Sequence, residues 1–300
     1  MKSGEKFAQN LKEFCKRMEI AGDSESLSKL AHKQLAQIAE MRQSFEAPVD
    51  TMGCHCLHDS NADIQDQHFQ TLVGGVLSPQ TKDEITAAAM KRFVSKGCTI
   101  KDVCNQTTDE IEELIKPVGF YKRKAVFVKK AAELLKSDYN YVLPNSVKEL
   151  CKFPGVGPKI ANMVVQIAYD NTEGVVVDTH VERISKRLGW ANETDKATDV
   201  AIKVQDIFSR DLWPGINRVL VGFGQKICKA PKPDCDACAC SHLCPSANKK
   251  ATNTVKTISP IDIEDCPDLR MENGTIVPIV PKPNRKRKSS DSSENIGFLD

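Results

Sequence analysis

Apolar residues recur along most of the chain at the three- and four-residue spacing of one helix face. The clearest stripes run from Leu30 to Met41, Ile85 to Phe93, Ala125 to Leu135, Ile160 to Ile167 and Val181 to Leu188. This period predicts amphipathic helices that each bury one face. The one strand-like run, Val175-Val176-Val177, is too short to predict a sheet. The pattern therefore predicts an all-α protein of many short helices joined by short loops.

Local signals predict where some of these helices begin. Thr81 with Glu84 and Ser146 with Glu149 have the spacing of a capping box, in which the first side chain accepts a hydrogen bond from the backbone of the second. At both ends of the chain the helical period is lost. Residues 1–25 predict a flexible N-terminal tail, and residues 247–300 predict a disordered C-terminal tail because they mix Pro, Asn, Ser and charge.

Composition narrows the class of protein. The chain has 300 residues, of which 40% are hydrophobic and 27% charged, which excludes collagen and wholesale disorder. No run approaches the roughly 18 apolar residues of a membrane helix, and no signal peptide is evident, so we expect a protein that is neither secreted nor membrane-spanning. The net charge is only +2. A polyanionic partner must therefore be bound by a local patch of charge.

Cysteines are crowded near residue 240. Five of the twelve lie within seventeen residues, at Cys228, Cys235, Cys238, Cys240 and Cys244. A single Cys-x2-Cys pair with a long gap on either side favours an iron–sulfur cluster over zinc, whose sites usually join two short pairs, although the residues alone leave both open. Cys240 is a fifth thiol without an assigned role. The run Cys54 to His58 also holds four possible ligands, but neighbours so close can hardly all surround one ion, and we expect no metal there.

The segment Phe153 to Lys159 reads Phe-Pro-Gly-Val-Gly-Pro-Lys. Its glycines allow close approach of another surface, and Pro158 suits the first position of a helix. Unpaired amides at such a turn would bind a phosphate, while an ordinary helix-to-helix turn is the alternative. Lys159 would lie beside the positive end of the helix dipole, which favours the free amine, a nucleophile. The basic run Lys122 to Lys124 is either a solvated helix face or a phosphate contact.

Asp178 closes the apolar run Val175–Val177 and precedes a helical stripe. This position predicts a helix N-cap. The same geometry holds a carboxylate rigidly, where it can stabilise a cationic transition state. The two roles are compatible.

Together these segments resemble endonuclease III, of the helix-hairpin-helix DNA glycosylase superfamily, and in particular its eukaryotic homologues. The resemblance runs from about Ala47 to Pro245. It is carried by Leu77 to Asp83 (LSPQTKD), Val118 to Tyr121 (VGFY), Phe153 to Lys159, Val177 to His180 (VDTH), Val221 to Gly224 (VGFG) and the four spaced cysteines.

The resemblance implies two helical domains with DNA in the cleft between them. Residues 61–171 would form a six-helix domain ending in the helix-hairpin-helix, and residues 26–60 with 172–246 would form the cluster domain. It also implies a [4Fe-4S] cluster on Cys228, Cys235, Cys238 and Cys244.

The resemblance further implies a monomeric bifunctional DNA glycosylase and AP lyase of base excision repair. Its substrate would be double-stranded DNA with an oxidised pyrimidine, flipped out of the stack, or an abasic site. Lys159 would attack the sugar C1′ and form a Schiff base before β-elimination, and Asp178 would stabilise positive charge on the sugar. Further DNA contacts would be Gln80, which fills the space of the flipped base, Phe120, a wedge where bacterial relatives commonly have leucine, and Tyr121, Gly155, Val156, Gly157 and His180.

Three other classes are weighed against this one. An adenine-specific mismatch glycosylase lacks a lysine at the position of Lys159 and has a folded C-terminal domain. The 8-oxoguanine glycosylases lack the cysteine loop, and a non-catalytic DNA-binding module would not need both Lys159 and Asp178. The basic cluster Arg285 to Lys288 is read from charge alone, as a nuclear import signal or a DNA-steering arm, with mitochondrial import left open.

Overall fold

The computed structural model describes residues 26–247, 269–272 and 275–278. The predicted N-terminal tail and the basic cluster near residue 286 lie outside these residues. Within them the chain forms twelve α-helices, four short 3-10 helices and one pair of strands. The helices are α1 (Ser26–Met41), α2 (Pro48–Met52), α3 (Ile64–Leu77), α4 (Asp83–Ser95), α5 (Ile100–Asn105), α6 (Thr108–Ile115), α7 (Tyr121–Asp138), α8 (Val147–Leu150), α9 (Pro158–Tyr169), α10 (Thr179–Arg187), α11 (Ala197–Ile207) and α12 (Trp213–Lys226).

The predicted all-α class is confirmed. Among the described residues, the only strands are β1 (Leu269–Glu272) and β2 (Thr275–Pro278), which pair antiparallel. The sequence pattern missed this hairpin in the predicted tail. Its signal is the dipeptide Asn273-Gly274 between the strands, which favours the tightest hairpin turns. No helix of the described residues is both long and apolar enough to cross a bilayer.

The two predicted capping boxes have different outcomes. Ser146 accepts a hydrogen bond from the Glu149 amide (3.4 Å) and starts α8. Thr81 does not cap a helix, because α4 begins two residues later, after Lys82. Its hydroxyl instead accepts hydrogen bonds from the Gly119 amide (3.1 Å) and the Lys124 ammonium (3.2 Å). The prediction for Thr81 was wrong because another segment of the chain uses its side chain.

One hydrophobic core lies between helices α3 to α9. Helix α3 is buried along almost its whole length and packs on α9, while α5 and α6 pack on α7. Phe69, Met90, Phe93 and Leu135 are among the fully buried side chains of this core. Because α3 and α9 touch, the start of α9 is held rigidly to the centre of the core.

A second core joins α1 to helices α10 to α12. At its centre, Gln34 of α1 accepts a hydrogen bond from the Trp190 indole (2.6 Å) and donates to the carbonyls of Leu188 (3.2 Å) and Leu243 (2.8 Å). Every polar atom of this buried amide thus has a partner. Gln34 thereby ties the cysteine loop to the N-terminal helix.

Hydrogen bonds connect the two hydrophobic cores. The Gln225 side chain of α12 donates to the Asp83 carboxylate (2.7 Å) and accepts from the Val49 amide (3.1 Å). Gln166 of α9 donates to the carbonyl of Pro214 (2.9 Å). These bonds fix the position of α9 and α4 relative to α12, where a cavity opens.

We predict that Gln34→Leu destabilises the protein by about 3 kcal/mol, because the Trp190 N–H and two buried carbonyls lose their partner. Urea unfolding followed by far-UV circular dichroism measures the change. The matched control is Gln43→Leu, an exposed glutamine in the following 3-10 helix, whose effect should stay within about 0.5 kcal/mol. Equal stability of the two variants would contradict the role given to Gln34.

Candidate active site and nucleic-acid interface

The turn between α8 and α9 presents Lys159 in the first turn of a helix. Pro158 is the first residue of α9, as the sequence predicts, and Lys159 is the second. Gly155 has a φ of +76°, and a Cβ there would collide with the Phe127 ring of α7. A glycine is therefore required at this point on both counts. The turn is pressed directly against α7.

The resemblance implies DNA contacts at Gly155, Val156 and Gly157, and in the structure Val156 differs from the two glycines. Val156 is buried in the first core, and its amide donates to the Phe153 carbonyl (3.1 Å). That amide is already used within the turn. A Cβ on Gly157, in contrast, would meet nothing within 4 Å, so the surface there is open. Gly155 and Gly157 remain as the amides with which a phosphate can be bound.

Asp178 is the N-cap of α10, as predicted. One carboxylate oxygen accepts hydrogen bonds from the amides of His180 (2.9 Å) and Val181 (2.8 Å). The other oxygen is left for further contacts. The cap therefore fixes the orientation of the carboxylate without using all of its acceptor capacity.

Lys159 and Asp178 line the same cavity, which has a volume of about 660 Å³. They come from different helices, α9 and α10, that belong to different cores. The cavity is also lined by Cys54, His55, His58, Asp83, Asn217 and Arg218. It combines one amine, one guanidinium, four carboxylates and several hydrogen-bonding side chains in a partly desolvated space.

Burial controls the protonation of groups around this cavity. It raises the pKa of Asp83 above its usual range, with smaller contributions from Glu84 and Asp178, and against the Gln225 hydrogen bond. Burial lowers the pKa of His180, against the nearby Asp178 carboxylate. His180 packs on α12 at Gly224 and contacts Arg183 (Nδ1 to Nη2, 3.3 Å). We therefore expect a neutral His180 at pH 7.

Two side chains project from backbone in the left-handed region. Gln80 has a φ of +55° and Phe120 a φ of +57°, and both are exposed, Phe120 to 66%. An exposed phenylalanine held in a strained conformation is typical of a functional site. Tyr121, the first residue of α7, is half-buried against the first core. The structure thus brings Gln80 and Phe120 to the surface and leaves Tyr121 partly covered.

Lys124 fits neither interpretation of the basic run, whereas Lys122 and Arg123 are exposed and remain open to both. Lys124 is only 6% exposed, so it is neither a solvated face nor a phosphate contact. Its ammonium donates to the carbonyls of Leu77 (2.7 Å) and Pro79 (2.6 Å) and to the Thr81 hydroxyl. Burial lowers the pKa of Lys124 to about 8. The three oxygen acceptors take the place of water around the ammonium, so the interior tolerates its charge.

The cysteine loop encloses a second, smaller cavity. The thiols of Cys228, Cys235, Cys238 and Cys244 line it together with apolar side chains of α10 and α12. Burial, with the other three thiols nearby, raises the pKa of Cys238 to about 11. Cys240 lines the same cavity and is completely buried in the second core.

The four thiols line one cavity and are the type of donor that an iron–sulfur cluster takes. A four-iron cluster needs one thiolate on each iron, so its ligands surround a larger volume than those of a single ion. An apolar cavity with four soft donors suits that arrangement.

Sequence reasoning missed several residues that the fold brings to the site. Asp83 received no role in it, because Thr81-x-x-Glu84 was interpreted as a helix cap, and Lys124 was interpreted only with its neighbours, as a solvated helix face or a phosphate contact. His55 and His58 were considered only as metal ligands. The partners of Asp83 and Lys124 lie far along the chain, so local patterns carry no signal for them.

Known proteins were compared with this chain. Residues 73–210 match the family described as HhH-GPD superfamily base excision DNA repair protein. The chain is 40% identical over 218 residues to Endonuclease III-like protein 1 of Gallus gallus, which covers 72% of this chain and 78% of that protein. It is 39% identical over 216 residues to Endonuclease III-like protein 1 of Mus musculus, which covers 72% of each.

Solved structures give the same result. A non-covalent endonuclease III–DNA complex superimposes with a TM-score of 0.64 at 30% identity, covering 73% of this chain and 96% of the other. A trapped endonuclease III–DNA covalent intermediate superimposes with a TM-score of 0.60 at 32% identity, covering 70% and 93%.

We predict that Asp178→Ala destabilises the protein by about 1 kcal/mol, because α10 loses its cap, whereas Asp178→Asn stays within about 0.5 kcal/mol. Thermal unfolding of both variants at equal iron content measures the difference. If the alanine and asparagine variants melt together at the wild-type temperature, the cap does not contribute to stability.

Proposed function

Because the chain belongs to the endonuclease III family, and is thereby a base excision repair DNA glycosylase with AP lyase activity, we propose that it acts as a monomer on duplex DNA carrying oxidised pyrimidines or abasic sites. The observation that carries the proposal is the shared cavity of Lys159 and Asp178. A nucleophilic amine and a carboxylate facing one space are the two groups that this reaction needs.

In the proposed reaction the unprotonated Lys159 amine attacks the sugar C1′. A nitrogen–carbon bond forms, the glycosidic bond breaks, and the base leaves with the electron pair. The amine nitrogen then loses a proton, the C1′–O4′ bond breaks, and O4′ takes up a proton, which leaves a protonated imine, the Schiff base, between C1′ and Lys159. Abstraction of a proton from C2′ then expels the 3′ phosphate by β-elimination, which nicks the strand. The position of Lys159 in the first turn of α9, lining the cavity that Asp178 also lines, supports this role.

Asp178 is proposed to stabilise positive charge on the sugar and to relay protons. Its orientation is fixed by two backbone amides, so little reorganisation is needed as charge develops. The half-buried His180 follows it and lies against α12. We propose that His180 contacts the DNA next to the flipped nucleotide.

The remaining DNA contacts are proposed from the same surface. The amides of Gly155 and Gly157 would bind a backbone phosphate, with Val156 anchoring the turn in the core. Gln80 would fill the space left by the flipped base, and Phe120 would enter the stack as a wedge, with Tyr121 behind it. The exposure of Gln80 and Phe120 supports these roles.

We propose that residues 61–171 form one domain and residues 26–60 with 172–246 the other, with DNA between them. The separation of the hydrophobic side chains into two cores supports this division. Residues 61–171, all of which are described, contain seven helices, one more than expected because α8 is a separate single turn.

Cys228, Cys235, Cys238 and Cys244 are proposed to hold a [4Fe-4S] cluster, as the family does. Such a cluster is an electron carrier and a rigid crosslink of its loop. The donation of Arg187 to Cys228 Sγ (3.2 Å) supports a thiolate at that position. Nuclear localisation remains a proposal that rests on the basic cluster Arg285 to Lys288, with mitochondrial import as the alternative.

We predict that Lys159→Gln folds and binds DNA with an abasic site but forms no borohydride-trapped covalent complex, because the amide cannot form a Schiff base. The assay uses duplexes containing thymine glycol, with uracil and 8-oxoguanine duplexes for comparison. Lys152→Gln is the matched control, since Lys152 lies in the same turn but is exposed and paired only with Glu149. Efficient trapping by Lys159→Gln would assign the nucleophile to another amine.

Asp178→Asn should lower the rate of base excision about 100-fold while leaving the fold intact, because it keeps the cap and removes the charge. Single-turnover kinetics on the thymine glycol duplex measure the rate. A rate near wild type would mean that Asp178 acts only as a helix cap. An adenine-specific enzyme would instead act on adenine mispairs and give no trapped complex with the wild-type chain.

We predict about four irons and four acid-labile sulfides per chain. Cys238→Ala should lose most of the iron, while Cys240→Ser should keep it, because Cys240 is buried in the core as a structural thiol. Iron and sulfide analysis with the absorption spectrum measures both. Stoichiometric zinc without sulfide would overturn the assignment, and iron loss from Cys240→Ser alone would mean that the ligand set is wrong.

A further inference from the structure

Lys124 is the most buried lysine of the described residues. None of the hydrogen bonds that its ammonium donates goes to a carboxylate. Its three donors go to Leu77 O (2.7 Å), Pro79 O (2.6 Å) and Thr81 Oγ1 (3.2 Å). An ammonium has three protons, so its capacity is fully used. A buried charge is costly unless it is satisfied in this way, which makes its position specific.

All three acceptors belong to one short segment, residues 77–81, which we call the Gln80 loop. This loop connects α3 to α4 and has few other internal hydrogen bonds: the Thr81 amide donates to Ser78 O (3.1 Å) and the Thr81 hydroxyl to Pro79 O (3.4 Å). The three hydrogen bonds from Lys124 therefore determine the path of the loop. Gln80, with its φ of +55°, lies at the exposed turn between the bonded residues.

The same contact joins the Gln80 loop to the segment 118–120 that carries Phe120. The Gly119 amide donates to Thr81 Oγ1 (3.1 Å), the hydroxyl that also accepts from Lys124. A Cβ on Gly119 would lie 2.6 Å from the Gln80 carbonyl oxygen, so the two backbones are in direct contact. Phe120 comes one residue later and Lys124 one helical turn after that, with the Lys124 amide bonded to Phe120 O (3.0 Å).

We propose that Lys124 is a positioning residue for damage recognition, which holds the Gln80 loop against residues 118–120 so that Gln80 and Phe120 enter the duplex as one unit. This inference rests on the proposed function, because it takes the two side chains as the groups that enter the DNA. Lys124 itself touches neither substrate nor the reacting atoms. It acts on the relative position of two exposed side chains that come from separate segments.

The positioning role predicts a loss that depends on the form of the DNA. In a duplex, the orphaned base and the stacked neighbours must be displaced, so the spacing of Gln80 and Phe120 matters. In a single strand that carries an abasic site there is no opposite base to replace, while the chemistry at Lys159 is the same. A defect in positioning should therefore appear on the duplex and not on the single strand.

The test is borohydride trapping by the full-length protein, loaded with its cluster, on an abasic site in duplex and in single-stranded DNA. Lys124→Met should trap the duplex about 10- to 100-fold more slowly than wild type, the loss typical of misplaced binding groups, and the single strand within about threefold. Wild-type protein that traps neither DNA would contradict the proposed function itself, a result distinct from failure of this inference.

Lys129→Met is the matched control. Lys129 lies on the same helix and also donates to backbone carbonyls, those of Val103 (3.2 Å) and Cys104 (2.7 Å), but these belong to α5 and not to the Gln80 loop. Its trapping of the duplex should stay within about threefold of wild type, since nothing in the DNA-facing loops changes.

A second comparison separates positioning from general damage to the fold. In the Gln80→Ala/Phe120→Ala background, adding Lys124→Met should give no further loss on the duplex, because the side chains that it positions are already gone. Additive losses, equal losses on both forms of DNA, or wild-type trapping of the duplex by Lys124→Met would each overturn the proposal.

If Lys124→Met does not fold, Thr81→Val provides the same test. Valine keeps the branched shape but removes the oxygen that receives both the Gly119 and Lys124 protons. Its loss should again be selective for the duplex, and smaller than that of Lys124→Met because the two carbonyl contacts remain. A Thr81→Val protein that traps duplex and single strand as wild type does would overturn the link between the two segments.

Discussion

Two helix N-termini at one cavity are the constraint on which the rest of this structure depends. The first turn of any helix has unpaired N–H groups and a partial positive charge. At α10 a carboxylate, Asp178, satisfies two of these amides. At α9 there is no side-chain cap, and Lys159 occupies the first turn instead. The N-terminus of α10 is therefore neutralised by a carboxylate of the chain itself, while the N-terminus of α9 remains available for an anion from outside the chain.

This arrangement requires the two hydrophobic cores to be held at a fixed separation. Gln225 binds an acid at the start of α4 and an amide at the start of α2, and so spans the cavity edge. The Pro214 contact of Gln166 adds a bond from α9. Both contacts are made by uncharged amide side chains, so they connect the two cores without adding a charge to the cavity.

The helical class, the cap at Asp178 and the position of Lys159 were all available from the sequence, since each depends on residues within one turn of one another. The connections through Lys124, Gln34 and Gln225 were not, because each bonds to residues more than forty positions away. Thr81 shows the difference most clearly. Its local pattern favours a cap, but a lysine and a glycine from another segment offer better donors, and tertiary contacts override the local preference.

The contact between Gly155 and Phe127 fixes the distance between two parts of the surface that is proposed to bind DNA. Phe127 of α7 lies seven residues after Phe120, the N-cap of that helix, which corresponds to about 10 Å along the axis at about 1.5 Å per residue. The turn that is proposed to bind a phosphate contacts Phe127 at one end of this interval, and Phe120, the proposed wedge, is at the other end. In the proposed complex the first two turns of α7 therefore set the distance between the bound phosphate and the base step that Phe120 enters, and this distance does not depend on the sequence of the DNA.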